Sequence, residues 1–291
     1  MIRELKTLVA VAREGTFAAA GQRVGLTQAA VSAQMQRLET ELGLSLFERK
    51  GRNAHLSAMG QHTLAQAHEL IRLYDNLGSS ISGDTPSVRL TLGAIASVQR
   101  SWLPDALASF HRELPHCRTR IIPGVSMELL NQVDAGDLDL ATIIRPPFTL
   151  QSDLRWTTLA REPYRLIVPA DMRGDDWREL LATQPLVRYD RSSFGGRQVD
   201  RFLRGMHFAV REACELDELD AIVRLVSNGV GVALVPQTRA SDPWPASVRA
   251  LDLGEHSFHR DVGLVHRTQG DFNEPTSLLI RLIEEASALG R

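Results

Sequence analysis

Residues 16–41 read TFAAAGQRVGLTQAAVSAQMQRLETE, which is the pattern of two short helices joined by a tight turn. Thr16 and Thr27 are placed to cap the two helices, because a threonine hydroxyl accepts a hydrogen bond from a backbone N–H that the first turn leaves unpaired. Gly25 lies between them and is free to take the positive φ that ends a helix. The stretch therefore predicts a helix-turn-helix.

The second of these helices has an apolar side and a polar side. Val31 and Leu38, together with Val24 and Leu26, are expected to supply the apolar contacts, while the small residues 18–21 allow another helix to cross closely. The polar side carries short hydrogen-bonding groups and one cation, which suits base edges in a major groove. Its residues are Gln28, Ala29, Ser32, Ala33, Gln36 and Arg37. An ordinary helical hairpin is the alternative interpretation.

The composition is that of a globular protein with room for two or three domains. The chain has 291 residues, is 43% hydrophobic, and contains no apolar run of the length needed to span a membrane. Its first residues, MIRELKTLVAVAREG, lack the small-residue cleavage site of a signal peptide. Because Cys117 and Cys214 are the only cysteines, a disulfide-rich scaffold is excluded and a reducing cytoplasm is expected.

Charge is unevenly distributed along the chain. Residues 1–57 hold eight Lys and Arg against five Asp and Glu, a balance of +3 that leaves −5 for the remainder of a chain of net charge −2. A basic N-terminal part on an acidic body is typical of a nucleic-acid binder with a separate sensing part.

A short hairpin is predicted after the helix-turn-helix, in LGLSLFERKGRNAHLS at 42–57. Arg49, Lys50 and Arg52 cluster at its tip. A solvated turn is the usual reason for such a cluster. Beside a recognition helix, however, Arg52 is placed to enter the electronegative minor groove and Lys50 to meet phosphate.

A single long helix is predicted from Ser57 to about Ser82. Its apolar residues recur at alternating steps of four and three, the spacing of a helix-helix seam. They are Met59, Thr63, Ala67, Leu70, Tyr74, Leu77 and Ile81. Since the helix has nothing of its own to cover this stripe, we expect a dimer through residues 57–82. GDTPS at 83–87 then makes a hinge.

The rest of the chain alternates strands and helices. The expected strands are 88–96, 118–124, 138–144, 164–170, 185–190, 229–236 and 261–267, and the expected helices are 99–111, 127–135, 176–183, 195–204, 217–228 and 275–289. Such alternation predicts parallel sheets covered on both faces, here in two lobes. Ligands of such folds bind outside the carboxyl ends of the strands, so the cleft between the lobes is the expected binding site.

Five stretches carry a resemblance that covers the whole chain. They are FAAAGQRVGLTQAAVSAQMQRLETELGLSLFER at 17–49, GR at 51–52 with LSAMG at 56–60, LPDALASFHRELP at 103–115, GDLDLA at 136–141 and GVGVALVP at 229–236. In these the chain resembles the LysR-type transcriptional regulators.

The resemblance implies a multidomain fold of helical and α/β parts. Its domains are a winged helix-turn-helix (1–57), a dimerising linker helix (58–82), a hinge (83–87), and a two-lobed α/β effector domain similar to periplasmic binding proteins (88–291). Lobe I would be about 88–160 with 265–291, and lobe II about 161–264. The implied function is cytoplasmic, non-enzymatic regulation of transcription by a dimer or tetramer that binds double-stranded promoter DNA, responds to a small effector and contacts RNA polymerase.

The family's base-reading positions fall on Gln28, Ala29, Ser32 and Ala33, beside the cap Thr27. Many members have Arg where Ala33 stands, so one strong donor is missing from this position. Gln28 and Ser32 are then the expected readers, with Gln36 or Arg37 in compensation.

The resemblance places the effector site at Ser97, Val98 and Gln99, at Ser126, at Arg145 and at Phe194. Helix N-termini and hydroxyls favour a carboxylate or another anion. Arg145 is expected to clamp that group and Phe194 to cover an apolar body. The alternatives are that the two serines only cap helices and that Arg145 pairs with an acid across the hinge.

Other classes of function lack their motifs. No phosphate-binding loop, dinucleotide loop, zinc-protease helix or nucleophile elbow is present, so no catalytic residue, metal or cofactor is predicted. A thiol-based redox sensor, an enzyme or solute-binding protein with a DNA-binding appendage, and an architectural DNA-compacting protein remain as alternatives. The two cysteines lie 97 positions apart and are expected in different lobes as small buried apolar residues.

Overall fold

The chain divides into two units, Met1–Val88 and Arg89–Arg291. In the first unit, three helices pack around one apolar core. The computed structural model describes residues 1–48, 54–77, 89–268 and 274–288. The helices are α1 (Ile2–Glu14), α2 (Phe17–Val24) and α3 (Gln28–Leu42). Leu8, Val11, Val31 and Leu38 are fully buried between them, so each helix contributes one apolar face to a shared core.

The predicted caps and turn are confirmed. The Thr16 hydroxyl accepts a hydrogen bond from the backbone N–H of Ala19, and the Thr27 hydroxyl accepts one from Ala30, both at 3.2 Å. Gly25 ends α2 at φ +71°. These contacts fix where α2 ends and α3 begins, and therefore the angle at which α3 leaves the core.

Two residues of the predicted core lie elsewhere. Val24 and Leu26 are each 36% exposed, so the expectation that they back the helix-turn-helix is wrong. Both sit at the turn, where the chain leaves the packed surface. Met35 and Leu46, which are 2% and 0% exposed, fill the core instead.

A small antiparallel hairpin follows α3, formed by β1 (Phe47–Glu48) and β2 (His55–Leu56). The Phe47 ring packs edge-on against Phe17 with centroids 5.2 Å apart, which attaches the hairpin to α2. Arg49, Lys50 and Arg52, predicted at its tip, lie outside the described residues.

The helix α4 (Ala58–Leu77) follows the hairpin. Its predicted seam is covered in part within the same unit: Thr63 and Ala67 are 6% and 1% exposed, and α1 packs along α4. The expectation that the helix has nothing to cover its stripe is wrong for these two positions. Leu70, Leu73 and Tyr74 are about half exposed, at 46%, 51% and 51%. The Leu77 side chain, Ile81 and the hinge 83–87 lie outside the described residues.

The second unit has the following elements in chain order. They are β3 (Arg89–Ala94), α5 (Ala96–Gln99), α6 (Leu103–Glu113), β4 (Arg118–Pro123), α7 (Ser126–Asp134), β5 (Leu140–Ile144), β6 (Leu154–Pro169), α8 (Trp177–Thr183), β7 (Pro185–Tyr189), α9 (Phe194–Gly205), β8 (Arg211–Leu216), α10 (Leu219–Ser227), β9 (Ala233–Pro236), β10 (Val248–Leu251), β11 (His259–Arg267) and α11 (Glu274–Ala288).

These strands form mixed sheets. β3 pairs in parallel with β4 and β5, and β7 pairs in parallel with β8. β11 runs antiparallel between β5 and β6, and β9 and β10 pair antiparallel with β6. The expectation of purely parallel sheets is therefore wrong for β6, which joins the lobes, and for β9, β10 and β11, which pair with it in the antiparallel sense.

β6 joins the two lobes of the second unit. Its residues 154–163 pair with β11, and residues 164–169 pair with β9 and β10. The first lobe is built on β3, β4 and β5. The second contains β7–β10 with its own buried core, including the fully buried Tyr164 and Leu166. The cleft between the lobes thus faces the carboxyl ends of both parallel sets.

Gly21 allows α2 to pass the turn closely, because a Cβ built on it would lie 2.6 Å from the backbone oxygen of Leu26. We expect Gly21→Ala to lower the free energy of unfolding of the first unit by about 1–3 kcal/mol. Urea denaturation followed by circular dichroism measures this loss. Gly205→Ala is the matched control, since no atom lies within 4 Å of its new Cβ. Equal stability of both variants would contradict the close approach.

Candidate functional sites

The polar side of α3 is open to solvent. Gln28, Ala29, Ala33, Gln36 and Arg37 are exposed and Ser32 is half-buried, while the opposite side, with Val31 and Leu38, is buried. Thr27 is exposed at the start of the helix, where it serves as the cap. The structure therefore brings together all seven predicted residues of this helix on a surface available to a partner.

Glu39, near the end of α3, is occupied by the hairpin. One of its carboxylate oxygens accepts hydrogen bonds from the backbone N–H groups of Leu46, at 2.7 Å, and Phe47, at 3.3 Å. This contact ties the hairpin to α3. The carboxylate is also held against β1, so its charge is engaged away from the polar side of α3.

A polar helix side of small residues, supported from behind by a packed core, has the shape needed to enter a major groove. Glutamine and serine side chains reach base edges, and Arg37 adds a cation for guanine or phosphate. The arrangement is chemically suited to double-stranded DNA.

A cavity of about 290 Å³ lies between the lobes of the second unit. It is at the carboxyl ends of the parallel strands β3, β4, β5, β7 and β8, where such folds place their ligands. Its walls come from the segments after these strands and from β11. The lining residues are Ile95, Ala96, Ser97, Pro123, Gly124, Val125, Ser126, Glu128, Ile144, Tyr189, Ser193, Asp217, Glu218, Leu219 and Arg260.

Arg260 is the central polar group of this cavity. It is 1% exposed, and its Nε donates to Oε2 of Glu162 at 2.6 Å. The two residues face each other directly across β11 and β6. Nη2 donates to the Ser97 hydroxyl at 3.0 Å, and Nη1 lies 3.4 Å from the Tyr189 hydroxyl. The guanidinium thus joins three elements that come from both lobes.

The protonation of the cavity follows from this arrangement. Burial, the largest single influence, lowers the pKa of Arg260, but Glu162, Tyr189 and Tyr164 together outweigh it and the pKa is raised, so the guanidinium stays charged. Burial raises the pKa of the Tyr189 phenol, which stays neutral. Burial also raises the pKa of Asp217, although its side chain keeps an exposed part at the mouth of the cavity.

Arg260 was not among the residues predicted from the sequence, although a signal exists. In HRDVGLVHR at 259–267, every second residue from Arg260 to Leu264 points to the buried side of the strand. An arginine on the buried side of a strand requires a partner. Period-two reading of the strand therefore singles out this cation, but it does not identify Glu162 as the acid.

Two of the six predicted effector residues, Ser97 and Ser126, line the cavity. The Ser97 hydroxyl accepts from Arg260, and the Ser126 hydroxyl accepts a hydrogen bond from the backbone N–H of Ile144 at 3.1 Å. Neither hydroxyl caps a helix, so the alternative of two cap residues does not hold.

The other four residues lie outside the cavity lining. Val98 is 1% exposed and packs into the core, and the Gln99 amide donates back to the Ala94 carbonyl at 2.7 Å. Phe194 is 4% exposed and packs edge-on against Phe148. Each of these three side chains, which we expected to contact the effector, contacts neighbouring residues of the protein instead.

Arg145 also lies away from the cavity. Its side chain is 59% exposed, with Nη1 3.8 Å from a carboxylate oxygen of Asp261. Its backbone N–H donates to the Asp261 carbonyl at 2.8 Å. The alternative, in which Arg145 pairs with an acid, describes this geometry better than the clamp does, because the exposed side chain lies beside Asp261 and outside the cavity lining.

The two cysteines are both free and belong to different lobes. Cys117 is buried before β4, and burial raises the pKa of its thiol, which disfavours the reactive thiolate. Cys214 is half-buried within β8. This placement gives no support to a two-cysteine redox sensor.

Two further properties concern the described part of the chain alone. Its His, Cys, Asp and Glu side chains form no group of three suited to a metal ion. Its helices include none with the length and apolar character required to cross a bilayer.

Comparisons with known proteins match both units. Residues 2–61 match the model of the bacterial regulatory helix-turn-helix protein, lysR family, and residues 83–288 match the LysR substrate binding domain. The chain is 31% identical over 239 residues to the uncharacterized HTH-type transcriptional regulator YusT of Bacillus subtilis, covering 81% of this chain and 78% of the relative. It is 29% identical over 292 residues to the HTH-type transcriptional regulator IlvR of Caulobacter vibrioides, covering 98% and 97%.

Among solved structures, a full-length OxyR variant from Pseudomonas aeruginosa is similar in fold. Its TM-score is 0.63, with 22% identity over 99% of this chain and 95% of that one. This likeness shows that the two proteins share a fold.

The buried pair of Arg260 and Glu162 gives a stability prediction. We expect Arg260→Met to lower the free energy of unfolding by about 3–5 kcal/mol, because it leaves the buried Glu162 carboxylate without its cation. Adding Glu162→Met should recover most of this loss. Urea denaturation followed by tryptophan fluorescence measures it, since all four tryptophans lie in the second unit.

The matched control for this experiment is Arg281→Met, which removes an exposed arginine paired with Glu285 at 3.1 Å. It should lower the free energy of unfolding by less than about 1 kcal/mol. A double variant as unstable as Arg260→Met alone would contradict the pairing argument.

Proposed function

The chain belongs to the LysR family of bacterial transcriptional regulators, and we propose that it binds promoter DNA through α3 and responds to a small molecule in the cavity beside Arg260. LysR regulators bind promoter DNA and small-molecule effectors, oligomerise, and are not enzymes. The observation that carries the proposal is the exposed polar side of α3 set on a fully buried apolar one.

In the proposed complex, Gln28 and Ser32 read base edges in the major groove. Ala29 and Ala33 allow close approach or contact thymine methyl groups, and Gln36 or Arg37 supplies the stronger donor. Arg49, Lys50 and Arg52 of the hairpin would bind phosphate and the adjacent minor groove. The excess of three positive charges over residues 1–57 favours this contact.

We assign residues 1–57 to DNA binding, 58–82 to the linker helix, 83–87 to a hinge and 88–291 to the effector domain. Dimers would form through the exposed stripe of Leu70, Leu73 and Tyr74 on α4. Such a dimer places two recognition helices about one helical turn apart, so the operator should be an interrupted palindrome. Assembly into a tetramer, contact with RNA polymerase and action in the cytoplasm complete the proposal.

The proposed effector carries at least one carboxylate or other anionic group, held by Arg260 with Ser97 and Ser126. Because Arg260 contacts Ser97 of the first lobe, Tyr189 of the second lobe and Glu162 on β6, the strand that joins them, a ligand bound to Arg260 affects both lobes at once. The ligand shifts DNA binding only by its differential affinity for the two arrangements of the lobes.

We expect Gln28→Ala to weaken binding to the selected operator by roughly fivefold to 150-fold, because a base-edge contact is worth about 1–3 kcal/mol. Binding to random DNA should change little. Mobility shifts on fragments that the chain itself selects from a random pool measure both. Gln66→Ala, an exposed glutamine on α4, is the control. An equal loss on operator and random DNA would argue against base reading.

Arg52→Ala should weaken binding to all sequences alike and lower the salt slope by about 1, because a phosphate contact carries no sequence information. The same mobility shifts at several salt concentrations measure it. A loss confined to the operator would assign Arg52 to base reading instead.

The double variant Leu70→Asp with Leu73→Asp should yield monomers of 32.2 kDa on sedimentation. Each leucine contributes about 1.5–3 kcal/mol when buried, and each occurs twice in a dimer. Leu42→Asp, at another exposed leucine of the same unit, should leave the mass unchanged. A double variant that sediments as the unaltered chain does would place the dimer interface elsewhere.

A further inference from the structure

The charges around the cavity do not balance. Glu162 neutralises Arg260, and Glu218 at the rim pairs with Arg100 at 2.7 Å. Arg100 also forms an ion pair with Asp220. These pairs use both nearby arginines and leave the carboxylates of Asp217 and Glu128 in the wall. The cavity therefore has an excess of negative charge although an arginine lies at its base.

Arg260 still has donors to offer a ligand. Each terminal nitrogen of a guanidinium carries two N–H groups. Among the described residues, Nη1 and Nη2 each have one hydrogen-bond partner, the hydroxyls of Tyr189 and Ser97. One N–H on each nitrogen thus remains to donate to a carboxylate, the anion with which guanidinium groups form strong charge-assisted hydrogen bonds.

Asp217 provides the opposite chemistry. No cation in the described part of the chain forms an ion pair with its carboxylate. Burial raises its pKa most, a hydrogen bond from Ser193 lowers it, and the nearby acids Asp190 and Glu218 raise it further. Arg260 acts in the other direction, so the carboxylate and the guanidinium are near enough to interact. A ligand ammonium group at this position would supply the charge that the wall lacks.

The remaining walls limit the size and character of the ligand. Ile95, Val125, Ile144 and Leu219 give the cavity an apolar part. Its volume of about 290 Å³ is at the small end of ligand pockets, which begin at about 300 Å³. A small molecule of the size of a single amino acid fits this space.

We infer that the cavity binds a free α-amino acid or a close zwitterionic analogue, with its carboxylate on Arg260, its ammonium on Asp217 and its side chain on the apolar wall. The inference rests on the proposed function, because it identifies the effector class of that site. A dianion would be repelled by the carboxylates of Asp217 and Glu128, and a simple amine would be repelled by the guanidinium of Arg260.

The test is isothermal titration calorimetry of the full chain with each proteinogenic amino acid. For the tightest binder, the deaminated acid and the decarboxylated amine are then measured as well. We expect the zwitterion to bind tighter than either analogue by roughly tenfold to a hundredfold, the value of one charged hydrogen bond. Equal or tighter binding of the deaminated acid overturns the assignment of Asp217.

Asp217→Asn separates recognition from a structural role. It should lower the affinity for the zwitterion by about tenfold or more. The affinity for the deaminated acid should stay the same or rise, because the neutral amide no longer repels an acid. If Asp217 had a purely structural role, the substitution would lower the affinity for both ligands. Asp171→Asn, at an exposed acid of the second lobe, is the matched control and should change neither affinity.

The outcome is separable from the proposed function. Absence of binding by every amino acid, with operator binding intact, overturns the inference and leaves the regulator in place. Failure of the unliganded chain to bind any DNA selected from a random pool would count against the proposed function, whatever the cavity binds.

Discussion

The second unit depends on one buried ion pair. Arg260 and Glu162 face each other across β11 and β6, close to the point where β6 passes from one lobe to the other. A buried charge without its partner is strongly destabilising, so only the strand register that pairs these two residues is favourable. The same guanidinium contacts Ser97 in the first lobe and Tyr189 in the second. Strand register, lobe position and cavity chemistry therefore depend on a single side chain.

The first unit depends on close approach of small residues. Gly21 lets the turn pass over α2, and the caps at Thr16 and Thr27 define where α2 and α3 begin. Glu39 then fixes the hairpin to α3 through two backbone hydrogen bonds. With its apolar side buried and Glu39 engaged, α3 has Gln28, Ser32 and Arg37 on its outward side. Rigid support of this kind is what allows short side chains to read a groove.

Local signals predicted much of the fold, and they failed where pairing is non-local. The helices, the caps and the apolar strands β5, β7 and β9 follow from residues within one turn or one strand. β8, with the sequence REACEL, and the first half of β6, RWTTLARE, have no apolar run. They become strands because β7 and β11 supply their hydrogen-bond partners. The expectation that α4 has nothing in its own chain to cover its apolar stripe fails for the same non-local reason, since α1 covers Thr63 and Ala67.

The sequence by itself determined the family, the helix-turn-helix with its polar face, and the position of a cleft at the carboxyl ends of strands, because periodicity, capping and turn chemistry are properties of neighbouring residues. The tertiary structure alone decided which side chains meet in that cleft. Ser97 and Arg260 are 163 positions apart in the sequence and come into contact only in the folded sheet. Val98, Gln99, Arg145 and Phe194 face other partners because the packing around each helix and strand end sets the direction of its side chains.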